Sequence, residues 1–320
     1  MKIAITGGSG FIGTRLIREL QREGHDCVII DIAHESPVDI LHQDKLNAAM
    51  AGCDVIYHLA AAHRDDIFPR SEYYEVNGRG TANVIEAARV NHIHQIIFTS
   101  TVAVYGLNKG TPDETTSPEP FNDYGKSKLE AEKYLQDWAA ENTQHRATIV
   151  RPVVVFGENN RGNVHTLINQ IVKNRFVMIG KGDNKKSMAY VGNVAAFLKF
   201  CLNEKTGCEI YNYADKPDFT TRQLVDVIYT QLGKEKNAMS LPYPAGLAIG
   251  YVFDAVARLS GKSFPVSAVR VKKFCANTSF KADKCQNAGF MAYYTLSEGV
   301  ERMIKHDFLG HEQQPGRLAA

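Results

Sequence analysis

The stretch KIAITGGSGFIGTRLI, Lys2 to Ile17, decides the fold. A short apolar run breaks into Gly7, Gly8, Gly10 and Gly13, and apolar residues then resume at helical spacing. Glycine at such a junction lets the chain turn tightly from strand to helix. It also brings backbone N–H groups against a pyrophosphate at the positive end of the helix. A bare GxGxxG match is weak, because glycine-rich turns abound. Its setting gives this one weight, since it follows a strand, opens a helix and begins a βαβ unit. Asp31 ends the next apolar run at the distance expected of a ribose ligand. A carboxylate there accepts a hydrogen bond from a 2′-hydroxyl and repels a 2′-phosphate, and no arginine stands beside it. NAD is therefore expected over NADP. The plain alternative is a tight turn with a surface aspartate.

Outward from this unit, the first half alternates short apolar strands with longer amphipathic helices. Strands are expected over Lys2–Thr6, Cys27–Asp31, Val55–Leu59, Gln95–Ser100 and Ala147–Arg151, with helices over Phe11–Glu23, Glu72–Val90 and Tyr124–Glu141. In the second helix Val76, Val84, Ile85 and Ala88 recur at helical spacing. The alternation reads as an α/β fold, a Rossmann-like doubly wound parallel sheet covered on both faces. After RPVVVFGENNRGN the rhythm becomes irregular and richer in proline. The expected division is a dinucleotide-binding domain over 1–152, to which 187–213 returns. A smaller C-terminal α/β substrate domain would take 153–186 and 214–320. The tail EQQPGRLAA reads as a frayed end.

Composition bounds the function. With 320 residues, 44% hydrophobic and 22% charged, the chain can bury a real core. A net charge of +2 is too mild to imply nucleic acid, so any electrostatic attraction is local. The six cysteines, Cys27, Cys53, Cys201, Cys208, Cys275 and Cys285, form no CxxC pair and lie near no His partner. That argues against structural zinc or a disulfide framework, and fits a reducing compartment. The N-terminal apolar run is too short for a signal peptide, which suggests a cytoplasmic start. No run approaches 18 uninterrupted apolar residues.

The chemistry lies in FNDYGKSKLEAEKYL and IIFTSTVAVYG. Tyr124 and Lys128 stand four apart at the start of a helix, so they share one face, one turn apart. A free tyrosine ionises near pH ~10, too high for a base at neutral pH. A neighbouring ammonium and a positive nicotinamide favour the phenolate. The alternative for this pair is a partly exposed tyrosine beside a solvated lysine. The fourth strand ends in Thr99, Ser100 and Thr101, where an open α/β sheet presents ligand-binding groups. A hydroxyl there can hold the reacting oxygen while Tyr124 moves its proton.

These residues resemble an extended short-chain dehydrogenase/reductase of the nucleotide-sugar epimerase/dehydratase group. TGGSGFIG, HLAA (His58–Ala61), VNGRGT (Val76–Thr81), STVAVYG, YGKSK, RP and YVGNV carry the likeness over roughly 1–195. The resemblance implies Thr101, Tyr124 and Lys128 as the catalytic set. It adds Phe11, Ile12, Asp39, Ile40, Leu59, Ala60, Ala61, Asn77, Pro152 and Val153 to Gly7, Gly10, Gly13, Asp31 and Ser100 as cofactor-binding residues, with Asp39–Ile40 at the adenine. It implies a homodimer through helices 72–90 and 124–141. Asn193 departs from the group, in which many members carry Asp. Dehydratases of the group follow the catalytic Thr with an Asp-Glu pair. Val102 and Ala103 stand here and can do neither job, which leaves C4 redox chemistry and favours epimerisation over net reduction.

Less common segments, among them AAAHRDDIFPRSEYYEVN, ENNRGNVHTLINQI and VSAVRVKKFCANT, narrow the resemblance. They are similar to bacterial 4-epimerases that interconvert N-acetylglucosamine and N-acetylgalactosamine on undecaprenyl diphosphate for O-antigen assembly. A soluble UDP-sugar 4-epimerase or reductase is the alternative. A lipid-linked substrate implies work at the cytoplasmic face of the inner membrane. LPYPAGLAIGYVFDAVARLSG, 241–261, followed by the basic RVKK, is then a candidate peripheral membrane contact. The competing reading is a helix packed in the core. On the substrate side the resemblance points to His63, Arg64, Arg161, Asn163, Lys186 and Arg270, the last two as diphosphate-binding cations. An Arg–Asp loop pair or solvated surface cations are the alternatives. Metal binding is not expected.

Overall fold

The computed structural model describes residues 1–64, 66–107, 109–203, 207–236, 239–260 and 267–310, with only the backbone at 259 and 260. Asp65, Gly261 and the tail 312–320, used in the sequence reading, lie outside the described residues. From the N-terminus, β1 (Lys2–Thr6) feeds α1 (Gly13–Arg22), β2 (Asp26–Ile30) feeds α2 (Gln43–Ala49), and β3 (Val55–His58) leads to α3 (Ser71–Tyr73). A π-helical turn, Tyr74–Arg79, joins α3 to α4 (Gly80–Val90). Then follow β4 (Gln95–Thr99), a 3-10 turn at Val102–Tyr105, α5 (Asp123–Glu141), β5 (Arg146–Pro152) and β6 (Val154–Phe156). Next come α6 (Asn163–Val172), β7 (Val177–Ile179), β8 (Lys185–Tyr190), α7 (Val191–Phe200), β9 (Cys208–Tyr213) and β10 (Asp215–Thr220). The chain continues through α8 (Thr221–Gln231), β11 (Met239–Leu241), α9 (Tyr243–Ser260), α10 (Ala268–Cys275), α11 (Asp283–Asn287) and α12 (Leu296–Ile304).

These elements form two compact units. The first takes Met1–Val155, Ala189–Ala214 and Phe280–Tyr293; the second takes Phe156–Met188, Asp215–Ser279 and the chain from Tyr294 onward.

The first unit is built on a six-stranded sheet in the order β2-β1-β3-β4-β5-β9. Every neighbouring pair is parallel. Ile3, Ala4 and Ile5 of β1, and Ile96, Ile97 and Phe98 of β4, have no exposed surface. Burial on both faces is why these strands are continuous apolar runs rather than alternating ones. One core gathers Ile5, Leu16, Tyr57, Ile97 and Phe197; the other gathers Ala4, Ile56, Val84, Phe98, Leu135 and Trp138. Strand order reverses between β1 and β3, and ligands of open α/β sheets bind outside the strand ends at such a switch point.

Two expectations need correction in this unit. The single helix expected over 72–90 is interrupted by the π-helical turn, which carries the nearly fully buried Asn77 against Ala62 and Ser127. The segment Phe280–Tyr293, grouped with the substrate domain on sequence grounds, belongs to the first unit. Aromatic packing anchors it there: the Phe290 ring meets Phe197 at 5.1 Å, Phe200 at 5.6 Å and Tyr213 at 6.0 Å. The Lys281 N–H also donates to Pro112 O at 3.0 Å.

In the second unit β10 runs antiparallel to β8, and β7 runs parallel to β11. Capping boxes start α8 at Thr220/Gln223 and α12 at Thr295/Glu298. Helix α9 inverts the usual amphipathic arrangement. Its tight contacts are made by glycine: a Cβ on Gly246 would lie 2.6 Å from Ile179, and one on Gly250 would lie 2.7 Å from the Ala268 backbone. Leu247, Phe253 and Ala257 are half-buried, whereas Tyr243, Ile249, Tyr251, Val252 and Val256 are exposed. Asp254, the helix's lone acid, accepts the Ala268 N–H at 3.1 Å. Over its described part the helix thus packs one face, with Gly246, Leu247, Gly250 and Phe253, and leaves Tyr243, Ile249, Tyr251, Val252 and Val256 exposed on the other.

Phe290→Ala should lower the unfolding free energy by about 3 kcal/mol, the usual loss for truncating a buried aromatic. Chemical denaturation of the purified protein measures this. A change within about 0.5 kcal/mol, as for a surface residue, would remove the 280–293 segment from the first core.

Candidate active site

The site in the first unit begins at the turn between β1 and α1. Gly7 has φ +71°, and a Cβ there would lie 2.6 Å from Ala60 N. At Gly13 a Cβ would lie 2.4 Å from Gly7 O. Each glycine is thus required by close approach of backbone to backbone. Helix α1 starts at Ile12 with no side-chain cap and no acidic residue in its first turn. Its positive end is left uncompensated, as a pyrophosphate needs. Asp31 follows β2 and is fixed from two sides. Its Oδ2 accepts Ser9 N–H at 3.0 Å and its Oδ1 accepts Ala33 N–H at 2.9 Å. Half-buried, it keeps lone pairs for a ribose.

Of the remaining dinucleotide candidates, Leu59 and Ala60 lie against Gly7. Phe11, Ile12, Leu59, Ala60 and Ala61 are half-buried, while Ile40, Asn77, Pro152 and Val153 are buried. Ile40 is pressed on α4, where a Cβ on Gly80 would meet its Cδ1 at 2.5 Å. Asp39 caps the local turn through Leu41 N–H at 2.9 Å. Asn77 is wholly engaged: Oδ1 accepts Ala62 N–H at 2.8 Å, and Nδ2 donates to Ala62 O at 3.0 Å and Ser127 Oγ at 2.9 Å. Its part is to hold the loop after β3. These residues fit an NAD-sized dinucleotide, on the glycine close approaches and the uncapped helix end.

Thr101 and the Tyr124 helix are brought together by another glycine. A Cβ on Gly125 would lie 2.8 Å from Ala103 O, so α5 begins hard against the 3-10 turn that Thr101 caps. Thr101 Oγ1 accepts Ala103 N–H at 3.1 Å, leaving its hydroxyl proton free to be donated. Asn122 caps α5 through Gly125 N–H at 2.9 Å. Tyr124 is half-buried, its ring centroid 6.3 Å from that of Tyr73.

Lys128 is 1% exposed and sets its Nζ 3.9 Å from the Phe98 ring centroid. Burial pulls its pKa down to about 7, while the charge of Glu132 works the other way. His58, fully buried, is pulled down to about 3, chiefly by burial and then by Lys128, and so is neutral. It lies 2.7 Å from Thr6 Oγ1 and 2.9 Å from Thr81 Oγ1. His58 is thus an uncharged neighbour of Lys128, which stands one helical turn from Tyr124.

Sequence reasoning missed what lies beneath. Ser100, expected at the cofactor, donates its hydroxyl to buried Glu132. Glu132 in turn binds Arg151, whose Nε and Nη2 donate at 2.9 and 2.5 Å. Glu132 stands one helical turn after Lys128 and Arg151 lies in the RP motif, so spacing alone could have paired Lys128 with Glu132.

The substrate-side candidates divide between the units. In the first, Arg64 spends its fork on Asp66, at 3.0 and 2.7 Å, which is the loop-shaping alternative. His63 is exposed beside it. In the second, Asn163 opens α6 and Arg161 lies 2.7 Å from His165 Nε2. Lys186 does not present a free cation. Its Nζ donates to Lys273 O at 3.0 Å and Ala276 O at 2.6 Å, capping the C-terminus of α10. Arg270 is exposed on α10.

Residues 3–214 match the NAD dependent epimerase/dehydratase family. The chain is 48% identical over 316 residues to the N-acetyl-alpha-D-glucosaminyl-diphospho-ditrans,octacis-undecaprenol 4-epimerase of Escherichia coli O157:H7, covering 96% of this chain and 95% of that one. Among solved structures, a UDP-glucose 4-epimerase from Thermotoga maritima superposes with a TM-score of 0.77 at 19% identity, over 98% of this chain and 100% of the other. A UDP-glucuronic acid 4-epimerase from Bacillus cereus in complex with NAD gives a TM-score of 0.75 at 22% identity, over 96% and 98%. These two likenesses carry the fold. On the match over residues 3–214 and the 48% identity, the chain belongs to the NAD dependent epimerase/dehydratase family.

Proposed function

We propose that the protein is an NAD-dependent C4 epimerase that interconverts N-acetylglucosamine and N-acetylgalactosamine on undecaprenyl diphosphate, for O-antigen assembly. The observation that carries this reading is the 48% identity to the Escherichia coli enzyme over 96% of the chain, joined to the Thr101–Tyr124–Lys128 arrangement. NAD, held at the glycine turn of Gly7, Gly10 and Gly13 and at Asp31, would supply the hydride acceptor and donor for C4. Thr101 holds the C4 oxygen by donating its hydroxyl proton. Tyr124, as the phenolate beside Lys128, takes the proton of the 4-hydroxyl as the ketone forms. The ketone turns over, accepts the hydride on its other face, and recovers the proton from Tyr124. Oxidation and reduction cancel, so no outside reductant is required. Val102 and Ala103 carry no acid or base that could eliminate water.

Within this reading His63, Arg161, Asn163 and Arg270 are substrate-side contacts, and a homodimer forms through α4 and α5. The protein works as a peripheral protein on the cytoplasmic face of the inner membrane. Among the described residues, no helix is long and apolar enough to cross a membrane. What supports surface attachment is the outward face of α9. Ile249, Val252 and Val256 are exposed at 40%, 62% and 42%, beside Val269 at 59%. Lys272 of α10 donates to Tyr251 Oη at 3.0 Å, and Lys273 is exposed next to it. An apolar helix face flanked by cations and lacking an outward acid is complementary to an anionic bilayer.

Purified enzyme given polyprenyl-diphosphate-linked N-acetylglucosamine should form the galacto epimer, and UDP-N-acetylglucosamine should turn over far more slowly. Turnover of the nucleotide sugar alone would replace the lipid-linked reading with the soluble one. Tyr124→Phe should bind NAD normally and lose roughly a thousandfold in kcat; full activity would remove Tyr124 as the base. Replacing Ile249, Val252 and Val256 together with Gln should leave the fold intact. It should also weaken flotation with phosphatidylglycerol-containing vesicles by about tenfold or more. Equal flotation of variant and parent would rule out this face as the attachment.

A further inference from the structure

The first unit hides an ion pair that the proposed reaction does not use. Glu132 has no exposed surface and Arg151 is 2% exposed. Nε and Nη2 of Arg151 grip the two carboxylate oxygens at 2.9 and 2.5 Å. Nη1 donates to Tyr105 Oη at 2.9 Å, and Tyr105 donates on to Asn212 Oδ1 at 2.8 Å. The Ser100 hydroxyl also donates to Glu132. Taking two charges out of water is costly, and apolar residues of similar size often serve a core as well or better. Stability alone therefore does not account for the pair.

Its position does. Tyr124, Lys128 and Glu132 recur every four residues on α5, one turn apart on one face. Ser100, tied to Glu132, immediately precedes Thr101. From this juxtaposition we infer that Glu132 and Arg151 are positioning residues: their pair anchors Ser100 at the end of β4 and holds Lys128 as the ammonium beside which Tyr124 works. The inference rests on the Tyr124–Lys128 reading proposed above.

The groups around Lys128 fix the sign. His58 from β3 is neutral, and Phe98 from β4 offers its ring face. Tyr124 stands one turn before and Glu132 one turn after. Arg151 from β5 lies beyond Glu132, bonded to Tyr105. Glu132 is thus the one anion set against the burial that strips Lys128 of its proton. Without that anion, the burial of Lys128 acts unopposed. Lys128 then becomes a neutral amine at lower pH, and Tyr124 ionises at higher pH.

Ultraviolet difference titration of tyrosinate, with Tyr124→Phe as the blank, reads this ionisation without any substrate. It can therefore succeed or fail independently of the epimerase assignment. In Glu132→Gln the Tyr124 ionisation should rise by about one pH unit, a tenfold loss of phenolate at neutral pH. If the lone buried Arg151 prevents folding, the double variant Glu132→Gln/Arg151→Met removes both charges. It should fold with a smaller shift in the same direction. A folded double variant that titrates like the parent would overturn the inference and reduce the pair to a structural staple.

Discussion

The chemistry proposed for this molecule depends on a buried amine. Lys128 is enclosed in the first unit, over the face of Phe98 and one turn from Tyr124. A lysine there resists charge, and a tyrosine without a charged neighbour resists ionisation. Each is useful only if the other is held close. The parallel sheet, the capped start of α5 and the neutral imidazole of His58 all bear on that one pairing. Their common effect is to set a buried amine one helical turn from the phenol, beside an uncharged imidazole.

Backbone contact does much of the positioning. Gly7 and Gly13 allow the β1–α1 turn to close on itself, and Gly125 allows α5 to abut the turn after Thr101. A side chain at any of these points would push two catalytic or cofactor-binding elements apart by more than a hydrogen bond tolerates. The motif glycines thus act as spacers of minimum thickness, and the reactive side chains are accurate because of what is missing beside them.

The parts legible in the sequence were those with a short-range signal. Strand-length apolar runs gave β1 to β5 within a residue or two, because the inner strands β1, β3, β4 and β5 are buried on both faces and carry little polar alternation. The glycine turn, Asp31 and the four-residue spacing of Tyr124 and Lys128 were legible for the same reason. What escaped depends on contacts distant in sequence. Phe290 meets Phe197 and Tyr213 from a segment whose own helix has five residues, too few for a periodic signal. Ser100 and Lys186 looked like ligand-binding groups by position. Their hydrogen bonds go to Glu132 and to the end of α10, partners that no local spacing discloses. The π-helical turn was hidden as well, since Val76 keeps helical spacing with Val84, Ile85 and Ala88 across it.

Helix α9 carries a consequence for how such a protein can diversify. Packing that relies on Gly246 and Gly250 ties the fold to two residues without side chains, and leaves the bulky ones outside the close-packed interior. Substitutions among those outer residues alter greasiness, bulk and charge while touching little that holds the second unit together. A descendant could therefore change what this helix face meets through a few substitutions on one helix.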